Sequence, residues 1–215
     1  MLFVLLSFSF STLITLNEEK SFLSWMRRTN QIYTSEEYQF RLGIYITNYR
    51  LVQKFNSAKK TFKVALNKFS CYTPSEYSSL LGRLQIKSQS TRSINPSTLI
   101  KNDDQESLDW RDKGIVNPIK DQGQCGSCWA FGTIQACESA YALTHGQLFE
   151  CSEQNLVDCC TYCYGCNGGV ESQALEYIIK QQDGCLNSDS DYPYEAVQGE
   201  CRFDTDKKLN KIRTY

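Results

Sequence analysis

The residues best suited to covalent chemistry lie in one run, Asp-Gln-Gly-Gln-Cys-Gly-Ser-Cys-Trp-Ala-Phe-Gly at 121–132. The segment from Cys128 to about Leu143 contains no Pro and reads as a helix, which places Cys128 at its first residue. There the positive end of the helix dipole favours the thiolate, the nucleophilic form of cysteine. Gln122, six residues earlier, carries a side-chain amide whose N–H groups, beside the backbone N–H of Cys128, suit an oxyanion formed by attack on a carbonyl. Nucleophile and oxyanion donors therefore come from one short segment, and acyl transfer is the chemistry they fit. Two other chemistries use the same residue types. Cys125-Gly-Ser-Cys128 is a CxxC pair of the thiol-redox kind, but that role expects a preceding strand and a compact βαβ pattern, so it stands as a remote alternative. Cys160-x2-Cys163-x2-Cys166 has the spacing of a zinc or iron–sulfur site, yet disulfide use is the ordinary fate of such cysteines, and no metal or cofactor is expected.

Several helices must position this segment. From Glu18 to Asn56 apolar residues recur at helical spacing, with Phe22, Trp25 and Met26 on one side, and the sequence Thr-Ser-Glu-Glu at 34–37 marks a second start. Thr34 or Ser35 is the expected N-cap there, with carboxylates in the first turn. Residues 82–107, rich in Ser, Thr, Asn and Gln, read as an extended connector rather than a packed element. Beyond it a short helix opened by Ser152 and another from Val170 to Gln182 are expected, the latter stopping at Asp183-Gly184.

Charge divides the chain near the same connector. Residues 1–103 hold 14 Lys+Arg against 6 Asp+Glu (+8), and residues 104–215 hold 9 against 18 (−9), which points to docking of one part on the other. The basic residues are scattered among aromatics without a cluster, so no nucleic-acid partner is expected. Ten of the 11 cysteines follow residue 124, an oxidising-compartment signature whose odd count leaves at least one thiol unpaired within the chain. The apolar stretch at 1–16 has the length of a secretory leader core and is too short to span a membrane; no other stretch is apolar enough to be a stable span.

The run at 121–132 resembles the nucleophile signature of the papain and cathepsin L family, Gln-x5-Cys within Cys-Gly-Ser-Cys-Trp-Ala-Phe. The segments SEQNLVDC and YGCNGG follow at that family's spacing, and Asp109-Trp110-Arg111 resembles the start of its mature enzymes, with cleavage near Asp103 or Asp104. The resemblance implies disulfides Cys125–Cys166 and Cys159–Cys201. It also implies a cleft lined by Gly168 and Gly169, with Tyr164 at one side and Val170 and Glu171 in the main specificity pocket. Upstream, Glu37, Arg41, Tyr45, Asn48, Val52 and Asn56 fall on one helical stripe, similar to the Glu-Arg-Phe-Asn-Ile-Asn pattern of cathepsin L-type prosegments. Ala65, Asn67, Phe69 and Cys71 occupy that family's Gly-x-Asn-x-Phe-x-Asp segment, with Cys71 in place of the acid.

The fold class expected is α+β, a helical inhibitory prosegment followed by the mainly helical N-terminal half of a papain-like two-domain fold, without its β-rich half. The organisation expected is a leader at 1–16, a prosegment at 17–103 and the N-terminal part of a peptidase domain at 104–215. The resemblance implies a cysteine endopeptidase zymogen acting on protein or peptide substrates, with the prosegment as intramolecular inhibitor, in a lysosome-like compartment or outside the cell. The one histidine, His145, lies near the far end of the Cys128 helix, about 25 Å along its axis at ~1.5 Å per residue. The family's catalytic His and Asn lie ~130–150 residues beyond the nucleophile, whereas 87 residues follow Cys128. Residues 1–215 by themselves are thus expected to be inactive, as a fragment or, alternatively, as a pseudoenzyme or prosegment-type inhibitor. Spacing leaves open further bridges among Cys137, Cys151, Cys163 and Cys185.

Overall fold

A computed structural model describes residues 13–58, 60–84, 107–209 and 212. Most of the expected leader, the expected cleavage site and residues 85–106 of the expected connector lie outside them. Two compact units are present, Met1–Tyr77 and Ser78–Tyr215. Among the described residues there are helices and isolated β-bridges but no strands.

In the first unit, α1 (Leu16–Arg28) opens with a capping box in which Thr15 and Glu18 satisfy each other's backbone N–H groups. The long α2 (Ser35–Ser57) starts at Thr34, whose side chain makes no cap bond, so the acidic Glu36 and Glu37 in its first turn serve the dipole instead. Phe22 and Trp25 of α1 meet Leu42, Tyr45 and Ile46 of α2 in a buried aromatic core that also holds Cys71. Burial pushes the Cys71 thiol up to about 12, so it stays neutral where an acid would ionise.

The helical stripe has a clear physical task, because its polar members hold the returning chain 63–76 onto α2. Asn56 exchanges hydrogen bonds with Val64, Nδ2 donating to its carbonyl at 2.7 Å and Oδ1 accepting from its amide at 2.9 Å. Asn48 Nδ2 donates to Ser70 O at 2.9 Å. Arg41 donates to the Cys71 carbonyl at 2.9 Å and grips both oxygens of Glu76 at 2.6 and 2.7 Å. Glu76 sits in α3 (Pro74–Ser79), a short helix that apolar periodicity did not announce. Arg50 holds Glu18 in a similar way, at 2.6 and 3.0 Å.

In the second unit, α4 (Cys128–His145) is the central element, packed against α5 (Glu153–Cys159) and α6 (Glu171–Gln181). Trp129, Ile134, Leu156, Ala174, Ile178 and Leu186 are buried between them. Ser152 caps α5 by accepting from the Asn155 amide, and α6 stops where Gly184 takes φ 77° and donates its amide to Ile178 O at 2.8 Å. Disulfides join Cys125 to Cys166 and Cys159 to Cys201 across separations of 41 and 42 residues. Loops of that length correspond to about 4 kcal/mol each on a chain-entropy view. The expectation for residues 82–107 is corrected at its start: residues 82–84 are packed, with Arg83 in a parallel bridge to Gly169. Close approach of two backbones overrides the polar composition of that stretch.

Candidate active site

The site is built by two loops that a disulfide and a hydrogen bond tie together. The first, residues 122–127, leads into α4; the second, residues 164–169, leads into α6 through the short 3-10 turn Gly165–Asn167. Cys125 is bonded to Cys166, and the Gly126 amide donates to Cys166 O at 2.9 Å. The indole of the fully buried Trp129 donates to Gly165 O at 3.1 Å and packs under Gly169, where a Cβ would lie 2.5 Å from its ring. Gly169 must therefore be glycine for the cleft floor to reach α4.

Cys128 is the first residue of α4 and a free thiol, since its CxxC neighbour Cys125 is bonded elsewhere. The N-cap Ser127 does not cap the helix with its side chain; its Oγ lies 2.6 Å from the Tyr194 hydroxyl, which in turn donates to Gln122 O at 2.8 Å. Tyr194 thus pins both ends of the 122–127 loop, and Phe131 packs edge-on against its ring. Sequence reading missed Tyr194 because it lies 66 residues from Cys128 with no motif linking them. Beside Cys128 a cavity of about 270 Å³ opens, walled by Ile119, Gln122, Phe131 and others. In the same wall Lys120 pairs at 2.9 Å with the buried Glu153, whose carboxyl burial pushes above the usual range.

The Gln122 side-chain amide donates twice. Its Nε2 donates to Cys125 O at 2.8 Å, which orients the amide, and to Leu80 O at 2.9 Å. That carbonyl belongs to a stretch, residues 78–84, that crosses the cleft within the second unit. Gly169 donates its amide to Gly82 O at 2.8 Å and accepts from the Leu84 amide at 2.9 Å. Gly82 lies against Gly126, glycine on glycine. Arg83 meets Glu171 at 3.1 Å, a largely exposed pair of small energetic weight. Of the remaining cleft residues, Gly168 adopts φ 122° and accepts from the Tyr164 amide at 2.8 Å; Tyr164 is exposed, and Val170 is buried at 4%. His145 stacks on Tyr141 at the far end of α4 and takes no part in the cleft.

Residues 104–215 match the family model described as papain family cysteine protease. The chain belongs to that family. Residues 22–77 match the cathepsin propeptide inhibitor domain (I29). Among curated relatives, pro-cathepsin H of Mus musculus is 39% identical over 97% of this chain and 63% of its own length. Cysteine proteinase 5 of Dictyostelium discoideum is 34% identical over 93% and 58%. Among solved structures, digestive procathepsin L2 proteinase from Tenebrio molitor larval midgut aligns with a TM-score of 0.79 at 27% identity, covering 90% of this chain and 65% of that one. The chain thus spans about three fifths of the length of the curated relatives it matches. With the papain-family membership come the mainly helical half of that fold and a prosegment ahead of it.

Proposed function

We propose that this papain-family member is the zymogen of a cysteine endopeptidase, with Cys128 as nucleophile and residues 78–84 as its built-in inhibitor. The Cys128 thiolate would attack the carbonyl carbon of a peptide bond while the resulting oxyanion takes hydrogen bonds from Gln122 Nε2 and the Cys128 amide. Collapse expels the amine and leaves a thioester, which water hydrolyses. By resemblance, the general base would be a His oriented by an Asn, a role that His145, stacked on Tyr141 at the far end of α4, does not fill. One observation carries the reading: the Leu80 carbonyl already accepts from Gln122 Nε2, while Gly82 and Leu84 pair with both sides of Gly169. An extended substrate would use the same donors and acceptors, so the tail and a substrate compete. Gly168, Gly169, Tyr164, Val170 and Glu171 would then be the substrate contacts, and proteins or peptides the substrates. A lysosome-like or extracellular setting accords with the two disulfides. No helix among the described residues is long and apolar enough to cross a membrane.

Expressed in full and freed of its prosegment, the protein should hydrolyse a fluorogenic peptide, and Cys128→Ser should lower turnover by roughly 10⁴-fold or more. Equal turnover in both would refute Cys128 as nucleophile. No turnover in either would favour the inhibitor or pseudoenzyme reading instead.

A further inference from the structure

Seven cysteines carry no disulfide, and two of them meet. Cys160 follows the last residue of α5 as its C-cap, with its amide donating to Leu156 O. The chain then turns so tightly that the Cys163 amide donates to Cys160 O at 3.0 Å. That turn sets the Cys160 and Cys163 sulfurs 2.8 Å apart inside the core of the second unit, with residue exposures of 5% and 9%. From there a short movement reaches the ~2.05 Å of a sulfur–sulfur bond.

We propose that Cys160 and Cys163 form a third disulfide of this protein, closed during folding by exchange with a small disulfide of the glutathione type. In the first exchange the Cys163 thiolate attacks one sulfur of glutathione disulfide and expels one glutathione thiolate, leaving a mixed disulfide. Cys160 then loses its proton, attacks the Cys163 sulfur and expels the second glutathione. Two thiols are oxidised, one disulfide is reduced to two glutathione thiols, and no further oxidant is needed. The polarity of the pair suits this order. The Cys160 S–H donates to the Cys163 sulfur, so the Cys163 thiol is held below its usual range, while the same bond and burial hold the Cys160 proton in place.

The Cys125–Cys166 and Cys159–Cys201 bonds close 41- and 42-residue separations, whereas this one spans three, and a short closure restrains the unfolded chain least. Its place gives it a consequence. Tyr164, the next residue, begins the loop that carries Gly168 and Gly169, so the bond would brace the root of the cleft wall. This inference does not depend on the peptidase reading, since the pair would close whether or not Cys128 acts as a nucleophile.

The test is to equilibrate the folded chain in glutathione buffers from oxidising to reducing, quench in acid, alkylate in denaturant without reductant, and map peptides after cleavage at Tyr162. In the oxidising buffers we expect a Cys160-to-Cys163 linked peptide and at least tenfold less label on both residues than on Cys128. As the buffers become reducing, this link should open and both residues take up label together. Cys160→Ser should leave Cys163 fully labelled without disturbing the two long bonds. Full labelling of Cys160 and Cys163 in oxidising buffer, or a link from either to another cysteine, would overturn the proposal.

Discussion

Gly82→Ala is expected to free Cys128. A Cβ at residue 82 would lie 1.6 Å from the Gly126 carbonyl oxygen and 2.3 Å from its carbon, contacts that no rotamer relieves because both partners are backbone. Gly126 cannot retreat, since its amide is bonded to Cys166 O and its neighbour Cys125 is bridged to Cys166. The tail must therefore lift, and with it go the bonds of Gly82 and Leu84 to Gly169 and of Leu80 to Gln122. Overpacking of this kind costs the docked tail about 1–3 kcal/mol, and once the tail lifts water takes over its hydrogen bonds. A net shift of about 2–3 kcal/mol should raise the rate of Cys128 alkylation roughly 30- to 150-fold. Leu81→Ala, at a position 57% exposed, serves as the control and should leave the rate unchanged. An unchanged rate in Gly82→Ala would mean that residues 78–84 do not occupy the cleft in solution.

Acid should loosen the first unit through Glu18 and Glu76. Glu18 and Glu76 are each held at about 2, first by side-chain bonds from Arg50 and Arg41, then by the amides of Thr15 and Thr73. Unfolded, such carboxyls titrate near ~4.3. Because the folded values are depressed, their stabilisation is fully present above about 4.3 and is lost as pH falls through about 2. Cys71, neutral below about 12, contributes nothing in that window. Amide protection factors in α1 and α2 should therefore collapse between about pH 4.3 and 2, and α3, from which the cleft-crossing tail departs, should loosen with Glu76. A Glu18→Gln, Glu76→Gln double variant should start with lower protection and show a flattened pH dependence there. The same steep acid loss in the double variant would show that other groups carry it.

The parts of this molecule that sequence made legible are those with local signatures. Cys128 at a helix start and Ser152 as a cap are set by neighbours within one turn, and the structure has both. The stripe of α2 was legible as a period, but its task was not, because bonds from Asn48, Asn56 and Arg41 to a returning chain depend on tertiary proximity. The six-residue α3 is too short for a period to register. The tail at 78–84 left little signal, a glycine and three leucines too few for a period, because much of its contact is backbone pressed on backbone. Tyr194 and the Cys160–Cys163 contact were hidden for opposite reasons: one is remote in sequence, the other so near that spacing alone allows several pairings.

Cys128 carries no disulfide, stands beside a bridged Cys125 and, even with the tail in place, is less buried than the other free cysteines. Brief alkylation of the native chain without reductant, followed by peptide mapping, tests this most directly. Six of the seven free cysteines are buried and Cys128 is not, so the first label should fall on Cys128, with Cys125 recovered linked to Cys166. A Cys125-to-Cys128 link, or first labelling at any other cysteine, would contradict the account and return the CxxC pair to redox chemistry.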